Sequence, residues 1–180
     1  MNLIKELIKK HHGYYPEKER TEFSIPGGNF IYEPGKGIID VNGSKISIRS
    51  NTIEAASPTR ESFQIKVLFK NNLNTYLEIS PKSKFQRMID AIMMQKGREI
   101  QQEFIVKGDT NLIVNLISNR TLARLLHKEK VHLKIDRENP TVMTLSPENP
   151  IKNVDRFEKY LNILKIIENK AIQLQLTTAF

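Results

Sequence analysis

The sequence lacks the residues on which several classes of protein depend. It contains no cysteine, so it can hold neither a disulfide framework nor a thiolate nucleophile. Tryptophan is absent and aromatic residues make up only 7% of the chain, which leaves few side chains on which single-stranded nucleic acid could stack. No window approaches the roughly 18 consecutive apolar residues of a transmembrane helix. Since the N-terminus also lacks the apolar region of a signal peptide, we expect a soluble, cytoplasmic protein.

Charge of one sign is in excess. The 180 residues include 28 Lys and Arg against 20 Asp and Glu, a formal net charge of +8. An excess of positive charge favours association with polyanions or anionic membranes, although many basic proteins bind neither. Hydrophobic residues make up 39% of the chain and charges of both signs are interspersed, as in globular proteins. We therefore expect a single domain over residues 1–180.

The order of the periodic segments predicts an α+β fold. A short helix is expected over residues 2–12, strands fill a β-rich first half (22–80), and the second half (83–176) is richer in helices. Because no crossover helix interrupts residues 29–79, the strands are expected to form an antiparallel sheet of hairpins with helices packed on it. A long C-terminal helix is expected over 153–174.

Turn and cap residues refine this prediction. Asn42-Gly43 is typical of a two-residue hairpin, whereas Pro34-Gly35 indicates a bend in a longer loop. Asp109 or Thr110 is expected to cap a helix that runs to Ile117. Residues 83–96 are predicted to form another helix, since large apolar residues recur there at helical spacing. These residues are Phe85, Met88, Ile89, Ile92 and Met93.

Two segments resemble each other across the halves of the chain. The run 22–29 (EFSIPGGN) is partly repeated by 103–111 (EFIVKGDTN), and two later strands both end in Ser-Pro before a helix. One interpretation is a duplicated strand–helix unit with a groove between the copies. The other is that Gly and Ser-Pro are common where strands end and helices begin. The sequence leaves both open.

No local motif predicts catalysis, a metal site or a cofactor. The turn at Gly108 precedes a helix, as phosphate-binding turns do, but it has one glycine where the known fingerprints need more, and Asp109 would repel a phosphate. The four histidines show no spacing typical of metal ligands. Ser80 and Ser146 precede prolines, where their hydroxyls more often cap helices or turns. A bound small molecule is likewise not indicated.

Basic residues supply the one candidate binding surface. Arg120, Arg124 and Lys128 recur every four residues along one ridge of a predicted helix. Lys130 and Lys134 line the outward face of the next strand, and Lys45 and Arg49 line the outward face of an earlier one. If these faces join, they would suit contacts to a phosphate backbone.

Residues 97–135 resemble a pattern found in an uncharacterised bacterial domain family. In that family an apolar residue, an F-x-V strand and an acidic turn precede a helix with two leucines near its end. The residues at the similar positions here are Ile100, Phe104, Val106, Asp109 and Leu125-Leu126. Ile100-Gln101 stands where the family usually has Phe-Asp, and the family's N-terminal membrane segments have no equivalent here. Because the family's function is unknown, the resemblance implies no functional residue.

Taken as a whole, the sequence favours a non-enzymatic binding or interaction module with a protein partner. The alternative is a nucleic-acid-associated protein that uses the basic residues named above. An enzyme whose active site is assembled only by the fold is the third interpretation.

Overall fold

The chain forms one antiparallel sheet with helices packed on its inner face. The computed structural model describes residues 3–15, 21–25, 28–41, 43–54, 63–70, 72–93, 98–149 and 151–178. The strands in this part are β1 (Thr21–Ile25), β2 (Gly28–Val41), β3 (Ser44–Glu54), β4 (Phe63–Leu68), β5 (Leu77–Pro81), β6 (Phe104–Gly108), β7 (Val131–Ile135) and β8 (Val142–Pro147). The helices are α1 (Leu3–Lys10), α2 (Lys84–Ile92), α3 (Glu99–Glu103), α4 (Thr110–Ile117), α5 (Arg120–Leu126) and α6 (Val154–Thr178). The predicted α+β fold, with a short N-terminal and a long C-terminal helix, is confirmed.

The strands pair in the order β1-β2-β3-β4-β8-β7-β5-β6, and every pairing is antiparallel. The two strands that carry the partly repeated sequences, β1 and β6, lie at opposite edges of this sheet. The predicted two-residue turn is confirmed, since Val41 pairs with Ser44 and Gly43 has a φ of +80°.

Strand alternation gives the sheet an apolar inner face and a polar outer face. In β7, Val131, Leu133 and Ile135 are buried whereas His132 and Lys134 are exposed, as predicted. The register aligns one row of buried residues across six strands, from Ile39 on β2 to Leu77 on β5. α6 covers this inner face with a set of buried side chains: Phe157, Tyr160, Leu161, Ile163, Leu164, Ile167 and Ala171.

The segment around Pro34-Gly35 is strand, and the prediction of a loop there was wrong. Gly35 pairs with Ser50 in the middle of the long β2–β3 ladder. The glycines at 35 and 37 are needed for a different reason, because α1 lies directly on them. A Cβ atom at Gly37 would lie 2.1 Å from Cδ1 of Ile8, and one at Gly35 would lie 2.6 Å from Cδ1 of Ile4. Glycine on the inner face therefore allows close contact between a helix and a strand.

A partly buried acidic group fixes α6 to the start of β7. Glu129 accepts hydrogen bonds from Arg156 Nη2 at 2.9 Å, Lys159 Nζ at 2.8 Å and the Tyr160 hydroxyl at 2.8 Å. Burial by itself would raise the pKa of Glu129, but these three donors outweigh it and hold the pKa below its usual value. A similar group ties α1 to α6, where Glu158 accepts from Lys10 and His11.

Candidate functional site

Three of the predicted basic residues lie on the outer face of the sheet. Lys45 and Arg49 on β3 and Lys134 on β7 are all exposed there. The register places Lys66 of β4 between them, opposite Ser47 on one side and Thr144 on the other, and Thr144 pairs in turn with Lys134. Adjacent strands are roughly 4.8 Å apart, so these cations lie within about 15 Å of one another across the strands.

The cations that share this outer sheet face are Lys36, Lys45, Arg49, Lys66, Lys107 and Lys134. Sequence analysis missed Lys66, although the alternation of the run FQIKVLF placed it on the outward side. It missed Lys36 because the segment around it was interpreted as a loop.

Some of these cations are neutralised by acidic neighbours. Lys134 Nζ lies 2.5 Å from Asp136 Oδ2, and this pairing raises the pKa of Lys134 and lowers that of Asp136. Lys130 lies 4.0 Å from Glu148. Lys66 and Arg49 make no ion pair within the described residues, so β3 and β4 carry positive charge that no acid there neutralises.

The other predicted basic residues lie elsewhere. Arg120 and Arg124 are exposed on α5, whose buried side faces α6 and the neighbouring helices of the inner layer. Lys128 follows α5 with a φ of +59°, and its backbone N–H donates to Glu103 Oε2 at 2.9 Å. The helix ridge and the outer sheet face are therefore on opposite sides of the sheet, and they do not join into one patch.

The turn at Gly108 is held together by Asp109. Asp109 occupies the N-cap position of α4, but its carboxylate makes no capping hydrogen bond, contrary to the prediction. Asp109 Oδ2 instead accepts from Thr75 Oγ1 at 2.6 Å and from the backbone N–H of Tyr76 at 2.9 Å. The carboxylate thus fixes the turn before α4 to the segment before β5, and its negative charge makes the turn unsuited to phosphate.

An open cleft of about 510 Å³ lies beside this turn. Its lining residues are Asn72, Asn74, Thr75, Tyr76, Asp109, Arg137, Glu138 and Pro140. The Arg137 guanidinium lies 4.6 Å from the centre of the Tyr76 ring. Sites for small molecules are typically enclosed and mostly apolar, and this cleft is neither.

Ser44, Lys165 and Glu168 form the cluster that most resembles catalytic machinery. Lys165 Nζ donates to Ser44 Oγ at 2.8 Å and to Glu168 Oε2 at 2.9 Å, and Ser44 Oγ donates to Glu168 Oε1 at 2.6 Å. A serine nucleophile needs a neighbouring base with a free lone pair. Here the lysine is an ion-paired donor and the carboxylate is buried, so the cluster serves to anchor the β2–β3 hairpin to α6.

The most unusual surface belongs to α2. The helix predicted over 83–96 is present over Lys84–Ile92. The large apolar residues of α2, together with Met93 directly after it, are all exposed, and we call them the α2 stripe: Phe85, Met88, Ile89, Ile92 and Met93. Phe85 is 64% exposed and Ile92 is 71% exposed. Of the α2 side chains whose surroundings the structure describes, none is buried.

Within the described residues, polar contacts hold the start of α2. Ser83 caps the helix, because its hydroxyl accepts from the N–H of Gln86, and the Gln86 side chain accepts from the N–H of Ser83. On the polar side Lys82 forms an ion pair with Asp90. α2 is therefore an amphipathic helix whose apolar side is not covered by the described part of the protein.

Within the described residues no helix is both long and apolar enough to cross a membrane. The helices of the inner layer cover the sheet, and α2 is too short.

Comparisons with known proteins show the fold alone. No family model matches the chain, and no curated protein does. A solved structure of the mycobacterial trehalose monomycolate transport factor A is similar, with a TM-score of 0.52 and 11% sequence identity over 93% of this chain and 92% of that chain. The resemblance to an uncharacterised bacterial family thus remains one without an assigned activity, and any function has to be argued from the surfaces described above.

Proposed function

We propose that this protein is a non-enzymatic interaction module that docks on its partner through the α2 stripe. The observation that carries the proposal is the exposure of five large apolar side chains, four on α2 and one at the residue directly after it. Phe85, Met88, Ile89 and Ile92 follow the spacing i, i+3, i+4 and i+7, which is the spacing of anchor residues in docking helices. Exposed apolar patches of this kind mark sites of interaction in soluble proteins.

Helix stability supports the same conclusion. Isolated helices shorter than about 12–15 residues are marginal in water, and most helical stability in proteins comes from packing of an apolar face. α2 has nine residues and none of its described side chains is buried. A surface that covers the stripe would supply the stabilisation that the rest of the domain does not give to this helix.

Site-specific photo-crosslinking in cells tests this proposal. We expect a photoreactive residue at Ile92 to give a covalent adduct, and the same residue at Val114 to give none. Val114 is a matched control because it is 51% exposed on another helix, α4. The adduct should disappear when Phe85→Ser is added. An adduct that persists in the presence of Phe85→Ser, or no adduct at Ile92, would contradict the proposal. Fractionation of the same cells tests the cytoplasmic location, which stays a prediction.

The outer sheet face supports a second candidate, association with nucleic acid. Lys66 and Arg49 lie on neighbouring strands with no acid paired to them in the described part of the chain, and a phosphate backbone would release counterions on binding there. Fluorescence anisotropy with duplex and single-stranded probes at low and moderate salt measures this. We expect Arg49→Gln/Lys66→Gln to weaken binding more than Arg120→Gln/Arg124→Gln, because the second pair lies on the other side of the sheet. Binding that is absent at low salt would rule the candidate out.

A further inference from the structure

We infer that the surface covered by α2 is an anionic lipid bilayer, on which the helix lies parallel to the membrane plane. This inference rests on the proposed function, since it names the partner of the same α2 stripe.

Charge is the first observation that favours an anionic bilayer. Between residues 82 and 98 the sequence contains five cations and one acid, Asp90. That acid is already paired with Lys82. Lys84 and Arg87 are exposed, and within the described residues neither forms an ion pair. The segment therefore presents uncompensated positive charge beside an apolar stripe, which is the combination found in helices that lie at membrane surfaces.

The arrangement of the two kinds of residue also fits. At 100° per residue, Phe85, Ile92 and their neighbours in the stripe centre on one side of α2, Lys84 lies at the border of that side, and Arg87 lies on the opposite side. When the stripe enters the boundary between headgroups and acyl chains, the long Lys84 side chain can extend to the phosphates, while Arg87 faces away from the bilayer and contributes only through its charge at longer range. The same net charge opposes pairing of the stripe with a second copy of this helix, which would bring like charges together.

The absence of packing around α2 is the third observation. Its apolar side is open in the described structure, and its start is joined to the domain by backbone and polar contacts such as Lys82 N–H to the Glu103 carbonyl at 2.8 Å. A bilayer surface is deformable and needs no shape-matched groove, so it can cover a helix that projects in this way.

Co-sedimentation of the full chain with vesicles tests the inference. The probes are vesicles of phosphatidylcholine alone and of phosphatidylcholine mixed with phosphatidylglycerol. We expect binding to the mixed vesicles only, with a decrease as salt is raised. Phe85→Ser/Ile92→Ser should abolish binding, while Val114→Ser should leave it unchanged. Lys84→Gln should weaken binding about fivefold, since it removes one cation near the surface, and Arg87→Gln should weaken it less because Arg87 lies on the opposite side of the helix.

The outcomes separate the inference from the function on which it rests. All these variants are at exposed positions, and unchanged urea unfolding curves would show that they fold. No binding to anionic vesicles, or binding that survives Phe85→Ser/Ile92→Ser, overturns the bilayer. A protein adduct at Ile92 together with no vesicle binding would rule out the bilayer as the partner but would still support the α2 stripe as a docking surface. If neither a protein adduct nor vesicle binding is found, the bilayer and the docking surface are both ruled out. A concentration-dependent dimer that is lost in Phe85→Ser would show that the stripe binds a second copy of the chain, which also rules out the bilayer.

Discussion

The contact between α1 and β2 can be tested with a single added methyl group. Gly37→Ala places a Cβ atom 2.1 Å from Cδ1 and 2.9 Å from Cγ1 of Ile8, whose side chain is buried. Carbon atoms pack best at roughly 3.5–4.0 Å, so the Ile8 side chain or the whole helix must move by more than about 1 Å. Overpacking of this kind costs about 1–3 kcal/mol.

An opposing effect makes the sign of this prediction informative. Where the backbone conformation suits any residue, replacing glycine by alanine stabilises a protein by about 0.4–1 kcal/mol, because the unfolded chain loses freedom. Gly37 lies inside a regular strand and has no positive φ. We therefore expect the clash with α1 to outweigh this gain, with a net loss of roughly 1–2 kcal/mol in the free energy of unfolding.

A double-mutant cycle with Ile8→Val isolates that contact. Ile8→Val removes Cδ1 and costs about 0.5–1.5 kcal/mol by itself. In the double variant the added methyl group clashes with fewer atoms, because Cδ1 of residue 8 is gone. The stability losses of the two single variants should therefore sum to about 1 kcal/mol more than the loss measured for the double variant. Ile135→Val is the control, because Ile135 lies four strands away from Gly37 and should be additive with Gly37→Ala.

Urea unfolding followed by circular dichroism measures all six proteins, and equal slopes against urea would show that only stability has changed. Two results would refute the reasoning. One is stabilisation by Gly37→Ala in the otherwise unchanged protein, and the other is strict additivity with Ile8→Val. Either would mean that α1 does not lie on the glycines of β2.

Three further predictions concern the partly buried Glu129 and two of the residues with positive φ, Lys128 and Gly108. Glu129→Gln should destabilise the protein by about 1–3 kcal/mol at neutral pH. Because the pKa of Glu129 is lowered from 4.5, the stabilisation by this carboxylate is complete above pH 4.5. The difference in unfolding free energy between the two proteins should therefore shrink in unfolding curves taken at lower pH. Lys128→Gly should raise the free energy of unfolding by about 0.5–1 kcal/mol at a φ of +59°, whereas Lys128→Ala should give no such gain. Gly108→Ala should cost about 2 kcal/mol or more in thermal or urea unfolding, because its φ is +151° and the new Cβ atom would lie 2.4 Å from the Tyr76 carbonyl oxygen.

The fold was predictable where local signals agree with one another. Alternation in β7 and the Asn42-Gly43 turn each act over a few residues, and each was identified from the sequence. The interpretation of Pro34-Gly35 was wrong because the reason for a glycine on β2 lies in α1, which is distant along the chain. Local turn signals cannot reveal that a helix will come to rest on a strand.

The candidate sites were less predictable, since they depend on which elements become neighbours. Lys66 joins Lys134 to β3 only because β8 pairs with β4, a contact between residues far apart in sequence. Arg120 and Lys134 are close in sequence, yet the sheet separates them. A charge pattern on one element predicts which side faces solvent, but the fold decides which charged sides form one surface.

The α2 segment also shows that a local pattern does not predict which elements pack together. Its apolar spacing predicts a helix and also suggests that the helix packs on the core, as it does for α6. The first conclusion holds and the second does not, because periodicity reports that an apolar side exists and not what covers it. Where local pattern and global packing disagree in this way, the disagreement is itself evidence of function. Phe85 and Ile92 are exposed and are not covered by the described part of the protein, which carries a cost in solubility, and the docking surface proposed above would be a physical reason for retaining them.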